Sequence, residues 1–158
     1  MIKHIILFLG LFLASCGTLP QAHTVPDDRI IDDIFLPYLE EFKSRARAAW
    51  GIDVMPKGIF IMTFTDIHDG ATVGRCKLIG DFYRAVIIDQ TAWEESNEAG
   101  RLFLVVHELG HCLLNQGHTK SGFMTPHIQH FYDEELYWEK LFNPEMHLIE
   151  HDECTSHE

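Results

Sequence analysis

The chain has 158 residues and a formal net charge of -12, with 12 lysine and arginine residues against 24 aspartate and glutamate residues. Hydrophobic residues make up 46% of it and charged residues 23%, which is enough apolar side chain for the core of one folded domain and argues against intrinsic disorder. The acidic excess argues against a nucleic-acid partner and against a polybasic membrane patch, because both depend on clustered lysine and arginine.

The first 15 residues have the pattern of a secretory signal. Lys3 supplies a positive charge, and the apolar run from Ile5 to Ala14 is about ten residues long, where a membrane span needs roughly 20. Leu13-Ala14-Ser15-Cys16 resembles the lipobox of bacterial lipoproteins, in which cleavage leaves the cysteine as an acylated first residue. The resemblance implies a lipid anchor on Cys16. Because Gly17 follows in place of an aspartate, it also implies a location at the outer membrane or cell surface. An ordinary cleaved signal is the alternative.

Three further segments complete the predicted organisation. Residues 16–26 contain two prolines and no apolar periodicity, which indicates a flexible tether. Residues 27–144 are expected to form the folded domain, and residues 145–158 a tail rich in histidine and acidic residues. We expect the protein to be a monomer.

An amphipathic helix is predicted from Asp27 to Trp50. Aspartates stand at its start, Gly51 ends it, and its apolar residues recur at spacings of three and four: Ile30, Ile31, Ile34, Phe35, Tyr38, Leu39 and Phe42. Pro37 predicts either a bend in this helix or its division into two pieces.

Three strands are predicted next. Gly58 to Ile67 is dense in β-branched and aromatic residues, and His68-Asp69-Gly70 is predicted to form a turn. Thr72 to Ile79 and Tyr83 to Asp89 are separated only by a short segment around Gly80-Asp81. They are expected to pair as an antiparallel hairpin, because a parallel pair needs a longer crossover.

Two helices follow the strands. The stronger pattern runs from Ala99 to Gln116, with Gly117 placed to reverse the chain after it. A last helix is predicted from about Tyr132 to Phe142, stopped by Asn143-Pro144. The sequence therefore predicts an α+β domain in which a small mixed sheet is combined with N-terminal, central and C-terminal helices.

The central helix contains the HExxH pattern, His107-Glu108-Leu109-Gly110-His111. Side chains four residues apart share one helix face, so the two imidazoles can converge on one ion. Glu108 is placed to take a proton from a metal-activated water. Because catalytic zinc usually has three protein ligands, a third is needed, and His118 directly after Gly117 is the candidate.

The string from His107 to His118, HELGHCLLNQGH, resembles the elongated zinc-binding motif HExxHxxGxxH of the metzincin metallopeptidases. Ser121 to Pro126 is similar to the Met-turn segment of matrixin-like members. Ile87 to Trp93 and Leu102 to Val106 resemble the strand, aromatic residue and helix that precede the motif in matrixins. The resemblance covers about residues 72–132.

This resemblance implies a zincin-like fold and a zinc-dependent endopeptidase that acts on a peptide or protein substrate. It implies that His107, His111 and His118 are the zinc ligands, Glu108 the general base, and Met124 the hydrophobic floor beneath the metal. A substrate strand is expected to pair with an exposed sheet edge formed by Thr72 to Ile79.

The chain departs from the family pattern in the spacing of the third ligand. His118 lies eleven residues after His107, where the family spacing is ten, and Leu114 takes the position of the family's turn glycine. We therefore expect the helix to run nearly one turn longer, with Gly117 taking over the reversal. Glu134 or Glu135 on the next helix, as in gluzincins, is the alternative third ligand.

Two other classes of function stay open at this stage. One is a non-catalytic lipoprotein in which the same histidines capture zinc, and the other is an interaction module with a structural metal on a zincin scaffold. Glu108 distinguishes them from an enzyme, because metal storage does not require a base.

Four cysteines are present. With Cys16 assigned to the lipid, Cys76, Cys112 and Cys154 remain in an oxidising compartment, where at most one disulfide can form within the chain. The pair Cys76 and Cys112 is favoured, because Cys154 lies in the polar tail.

Overall fold

The computed structural model describes residues 28–68, 72–128 and 133–143. The predicted signal, the lipidation site Cys16, the tether and the tail lie outside these ranges, as does most of the turn predicted at residues 68–70. Within the described residues, no helix combines the length and the hydropathy that a membrane span needs.

The described residues form an α+β fold with one four-stranded mixed sheet and four α-helices, which confirms the predicted fold class. The strands are β1 (Arg29–Ile31), β2 (Ile59–Thr65), β3 (Gly74–Ile79) and β4 (Tyr83–Asp89). The helices are α1 (Leu36–Trp50), α2 (Gln90–Glu95), α3 (Glu98–Leu114) and α4 (Glu134–Phe142).

The sheet has the strand order β1-β2-β4-β3. Strands β1, β2 and β4 are parallel neighbours, and β3 pairs with β4 as the predicted antiparallel hairpin. Alternate side chains of β2 and β4, including Phe60, Met62, Val86 and Ile88, are buried in the core. Strand β3 is an edge of the sheet, as the sequence predicted.

The first helix begins nine residues later than predicted. Arg29–Ile31 pairs with β2 as a strand, a short 3-10 turn follows at Asp33–Phe35, and α1 begins at Leu36 with Pro37 in its first turn. Proline fits there because the first N–H groups of a helix have no partner within the helix. The division at Pro37 was one of the two predicted outcomes, and Gly51 ends α1 in a left-handed conformation as expected.

Helix α3 is the central element of the core. Every residue from Leu102 to Gly110 is buried, and the helix packs against β3, β4 and α1. Helix α4 packs against α1 through aromatic contacts of Phe42 with Trp138 and Phe142. A helix surrounded in this way can hold its side chains in fixed positions, which a metal site requires.

Candidate metal centre

Three histidine side chains converge where α3 ends. His107, His111 and His118 each offer one ring nitrogen, and these atoms all lie within 4.8 Å of one another. The Nε2 atom of His107 is 3.0 Å from Nε2 of His111 and 3.2 Å from Nε2 of His118. Two nitrogens bound to one tetrahedral zinc ion are roughly 3.3 Å apart, so these spacings fit a single metal. The three residues could hold a metal ion.

Backbone carbonyls orient two of the three rings. His107 donates from Nδ1 to the carbonyl of Phe123 at 2.7 Å, and His111 donates from Nδ1 to the carbonyl of Gln116 at 2.6 Å. Because a carbonyl can only accept, each Nδ1 carries the hydrogen and each Nε2 keeps its lone pair. The free lone pairs are therefore on the nitrogens that face one another.

Burial keeps the three imidazoles in the form that binds metals. It lowers the pKa of His107 to about 3, with a further lowering from the neighbouring His111 and His118. Burial also lowers the pKa of His111 and of His118. At neutral pH the rings are uncharged, so metal binding has little competition from protons.

Asn115 turns the chain so that His118 reaches the other two histidines. Helix α3 ends at Leu114, and Asn115 adopts the left-handed conformation with φ 54°. The prediction of a longer helix that reverses at Gly117 is therefore wrong. Asparagine is one of the few residues besides glycine that enter this region easily, so it ends the helix before Gly117 is reached.

Met124 packs directly on the helix that carries the HExxH pattern. It is buried, and a Cβ atom on Gly110 would overlap its sulfur. The loop that presents it is closed by Thr119, whose N–H donates to the carbonyl of Met124 at 2.8 Å. The sequence analysis missed the role of Gly110, although a glycine inside an apolar helix costs about 1 kcal/mol relative to alanine and usually has a packing reason.

Glu108 is buried between α3 and the edge strand β3, with 5% of its surface exposed. Its carboxylate accepts a hydrogen bond from the backbone N–H of Cys76. Burial raises the pKa of Glu108 to about 8, against the opposing effects of the Arg75 charge and of this hydrogen bond. Gly74 makes room for the side chain, since a Cβ atom there would lie 2.6 Å from Oε1.

A disulfide between Cys76 and Cys112 joins β3 to α3, which is the pairing that the sequence favoured. Cys112 lies one helical turn after Glu108, and its carbonyl also accepts a hydrogen bond from Arg84. The same residue, Cys76, is thus bonded to α3 through its sulfur and donates to Glu108 through its backbone. The contribution of Gly74 and Cys76 to the site was missed from the sequence, although a glycine within a strand often marks a close approach.

The alternative third ligands lie elsewhere. Glu135 forms hydrogen bonds of 2.6 and 2.8 Å with Arg45 on α1, and Glu134 accepts from Trp138 at 3.3 Å. Neither belongs to the histidine cluster, because the first turn of α4 faces α1. The prediction of a glutamate as the fallback ligand is therefore wrong.

No protein-family model matches this chain, and neither the search of curated proteins nor the search of solved structures returned a significant match.

Proposed function

We propose that this protein is a zinc-dependent metalloendopeptidase with a divergent metzincin-like, zincin-type fold. The observation that carries the proposal is the convergence of three Nε2 atoms, from His107, His111 and His118, next to a buried carboxyl group on the same helix. Three neutral imidazoles are a donor set that suits zinc and leaves one coordination position open. The packing of Met124 against the same helix supports its role as the floor beneath the metal.

His107, His111 and His118 would hold the zinc, and the bound ion would supply Lewis acidity toward a peptide carbonyl and a water molecule. A cation on the histidines would favour the ionised form of Glu108, which would then accept a proton from the attacking water and pass it to the leaving amine. The N–H of Cys76 fixes the carboxylate before the reaction, and the walls formed by β3 and α3 exclude bulk water from it.

The edge strand β3 is the proposed binding place for an extended peptide. Its outer side has no neighbouring strand among the described residues. One of its faces lies against Glu108, through Gly74. A substrate that adds to this edge gains main-chain hydrogen bonds, which recognise an extended peptide with little dependence on its sequence. Such binding favours cleavage within a chain over removal of terminal residues.

Metal analysis combined with peptide cleavage tests the proposal. We expect the wild-type protein to contain one zinc ion per chain and to cleave members of a quenched fluorescent peptide library. His118→Ala should lose both zinc and activity, whereas Glu108→Gln should keep its zinc and lose at least 100-fold in kcat/KM. His68→Ala is the matched control, since this exposed histidine lies outside the cluster. Full zinc and activity in His118→Ala would refute the ligand assignment.

A non-catalytic zinc-binding protein is the second candidate. It is favoured by the low exposure of Glu108 and by the hydrogen bond that already occupies its carboxylate. Under this alternative, wild-type protein binds zinc, cleaves no peptide in the library, and behaves like Glu108→Gln in both assays.

We also propose that a lipid on Cys16 anchors the protein in the cell envelope, on the basis of the lipobox-like sequence alone. Labelling of cells with a radioactive fatty acid should mark the wild-type chain and leave Cys16→Ser unmarked.

A further inference from the structure

The turn of the β3–β4 hairpin exposes an unusual group of large apolar side chains. Leu78 is 47% exposed, Ile79 66% and Phe82 60%. Ile59, at the start of β2, is 38% exposed and donates its N–H to the carbonyl of Phe82 at 2.8 Å. We call these four residues the apolar tip. Leu78 points to the opposite face of β3 from Ile79, so the four residues share the hairpin end of the sheet and not one face; an exposed apolar group of this kind often marks an interaction surface.

The apolar tip lies at the end of the sheet where the chain enters the domain. Two consecutive residues of β2 connect the tip with the first described residue. Ile59 donates to the carbonyl of Phe82 in the tip, and Phe60 donates to the carbonyl of Asp28 at 3.0 Å. With strands about 4.8 Å apart, the backbones of Asp28 and Phe82 are separated by roughly 10 Å. The tip and Asp28, the first described residue, therefore lie at the same end of the sheet.

This placement limits the distance between the apolar tip and the proposed lipid anchor. Cys16 precedes Asp28 by 12 residues, a length of chain that spans at most about 40 Å. A lipid on Cys16 thus holds the domain close to the bilayer by the end that carries the tip.

The charges around the apolar tip also suit a phospholipid surface. Lys57 lies two residues before Ile59, and Lys77 lies two residues before Ile79, both exposed. The exposed Asp81 lies between Ile79 and Phe82, so the local balance is two positive charges to one negative in a chain whose net charge is -12. Lysine side chains can place their ammonium groups among lipid phosphates while the apolar residues enter the interface.

We propose that the apolar tip is a second membrane contact, which inserts Ile79 and Phe82 into the interface of the phospholipid bilayer to which Cys16 is anchored. Two contacts at one end of the sheet fix the orientation of the domain, which a single anchor point does not. The histidine cluster is then held at a set height above the membrane, and the substrates within reach are membrane-proximal proteins.

Vesicle binding by the mature chain, which begins at residue 16 and carries Cys16→Ser, tests the tip without any contribution from a lipid or from the apolar signal. The probe is co-sedimentation with vesicles of phosphatidylethanolamine and phosphatidylglycerol, mixed three to one. We expect measurable partitioning that falls at least tenfold in the double variant Ile79→Asp, Phe82→Asp. The matched control is Ile52→Asp, because Ile52 is 54% exposed and lies outside the tip.

A second readout applies where the double variant does not fold. Phe82→Trp should show a blue-shifted emission on vesicles and quenching by brominated acyl chains, because the indole enters the interface. Absence of vesicle binding by the Cys16→Ser chain, or undiminished binding by the double variant, overturns the proposal. It is also overturned if sedimentation velocity shows a dimer that the double variant abolishes, since a second copy would then be the occupant of the tip.

Discussion

Replacing Gly74 by alanine should disable Glu108 while leaving the three histidines in place. The new Cβ atom would lie 2.6 Å from Oε1 of Glu108 and 2.8 Å from its Cγ, whereas ordinary contacts begin at 3.4 Å. The carboxylate must therefore retreat by about 0.8 Å, away from the N–H of Cys76. Because a misplacement of about 1 Å costs roughly 100-fold in rate, we expect a loss of that order in kcat/KM.

The backbone at Gly74 tolerates alanine, since its φ lies outside the left-handed region. The effect therefore reports on Glu108 and not on folding of the strand. Ser44→Ala is the control, because Ser44 is exposed on α1 and lies outside the site and outside the proposed substrate-binding strand. Zinc content and kcat/KM should be measured together. Unchanged kcat/KM in Gly74→Ala, or loss of its zinc, would refute the reasoning.

Three further predictions concern stability. In metal-free protein, Glu108→Gln should be stabilising by an amount that grows between about pH 4.5 and 8, because the raised pKa of Glu108 keeps it protonated in the folded state while the unfolded chain ionises. Urea unfolding in a chelator across this range checks it, and a gain independent of pH would contradict it. Asn115→Ala should cost about 1 kcal/mol and weaken zinc binding, while Asn115→Gly should preserve both in unfolding and zinc titrations. Removing the disulfide with Cys76→Ala and Cys112→Ala, whose partners are 36 residues apart, should lower the free energy of unfolding by about 4 kcal/mol. A change below 1 kcal/mol in denaturant melts would show that the cross-link is energetically minor.

The parts of the fold that depend on local sequence were predictable. Helix α3 follows from its apolar periodicity, and β2 and the β3–β4 hairpin follow from β-branched runs and a short turn. The segment Arg29–Ile31 was assigned wrongly because its isoleucines fit a helical face equally well. Its pairing with β2 depends on residues 31 positions away, which no local pattern reveals.

In the candidate site, too, some residues could be grouped from local sequence, whereas others depend on the tertiary structure. His107, Glu108 and His111 are fixed by one helical turn, so their grouping could be inferred before the structure. The position of His118 depends on which residue enters the left-handed region, and the local sequence offers both Asn115 and Gly117 for that role. The contacts of Gly74 with Glu108 depend on how β3 lies across α3, which is a property of the tertiary structure alone.

The loop after α3 supplies His118 and also the two carbonyls, of Gln116 and Phe123, that orient the other rings. A cation bound to the three histidines would act as a cross-link between helix and loop. Loop opening and metal release are consequently coupled, and tighter metal binding lowers the population of the open loop. The amide of Thr119, which donates to Met124 within this loop, is a natural reporter: its hydrogen exchange should slow as the metal concentration rises.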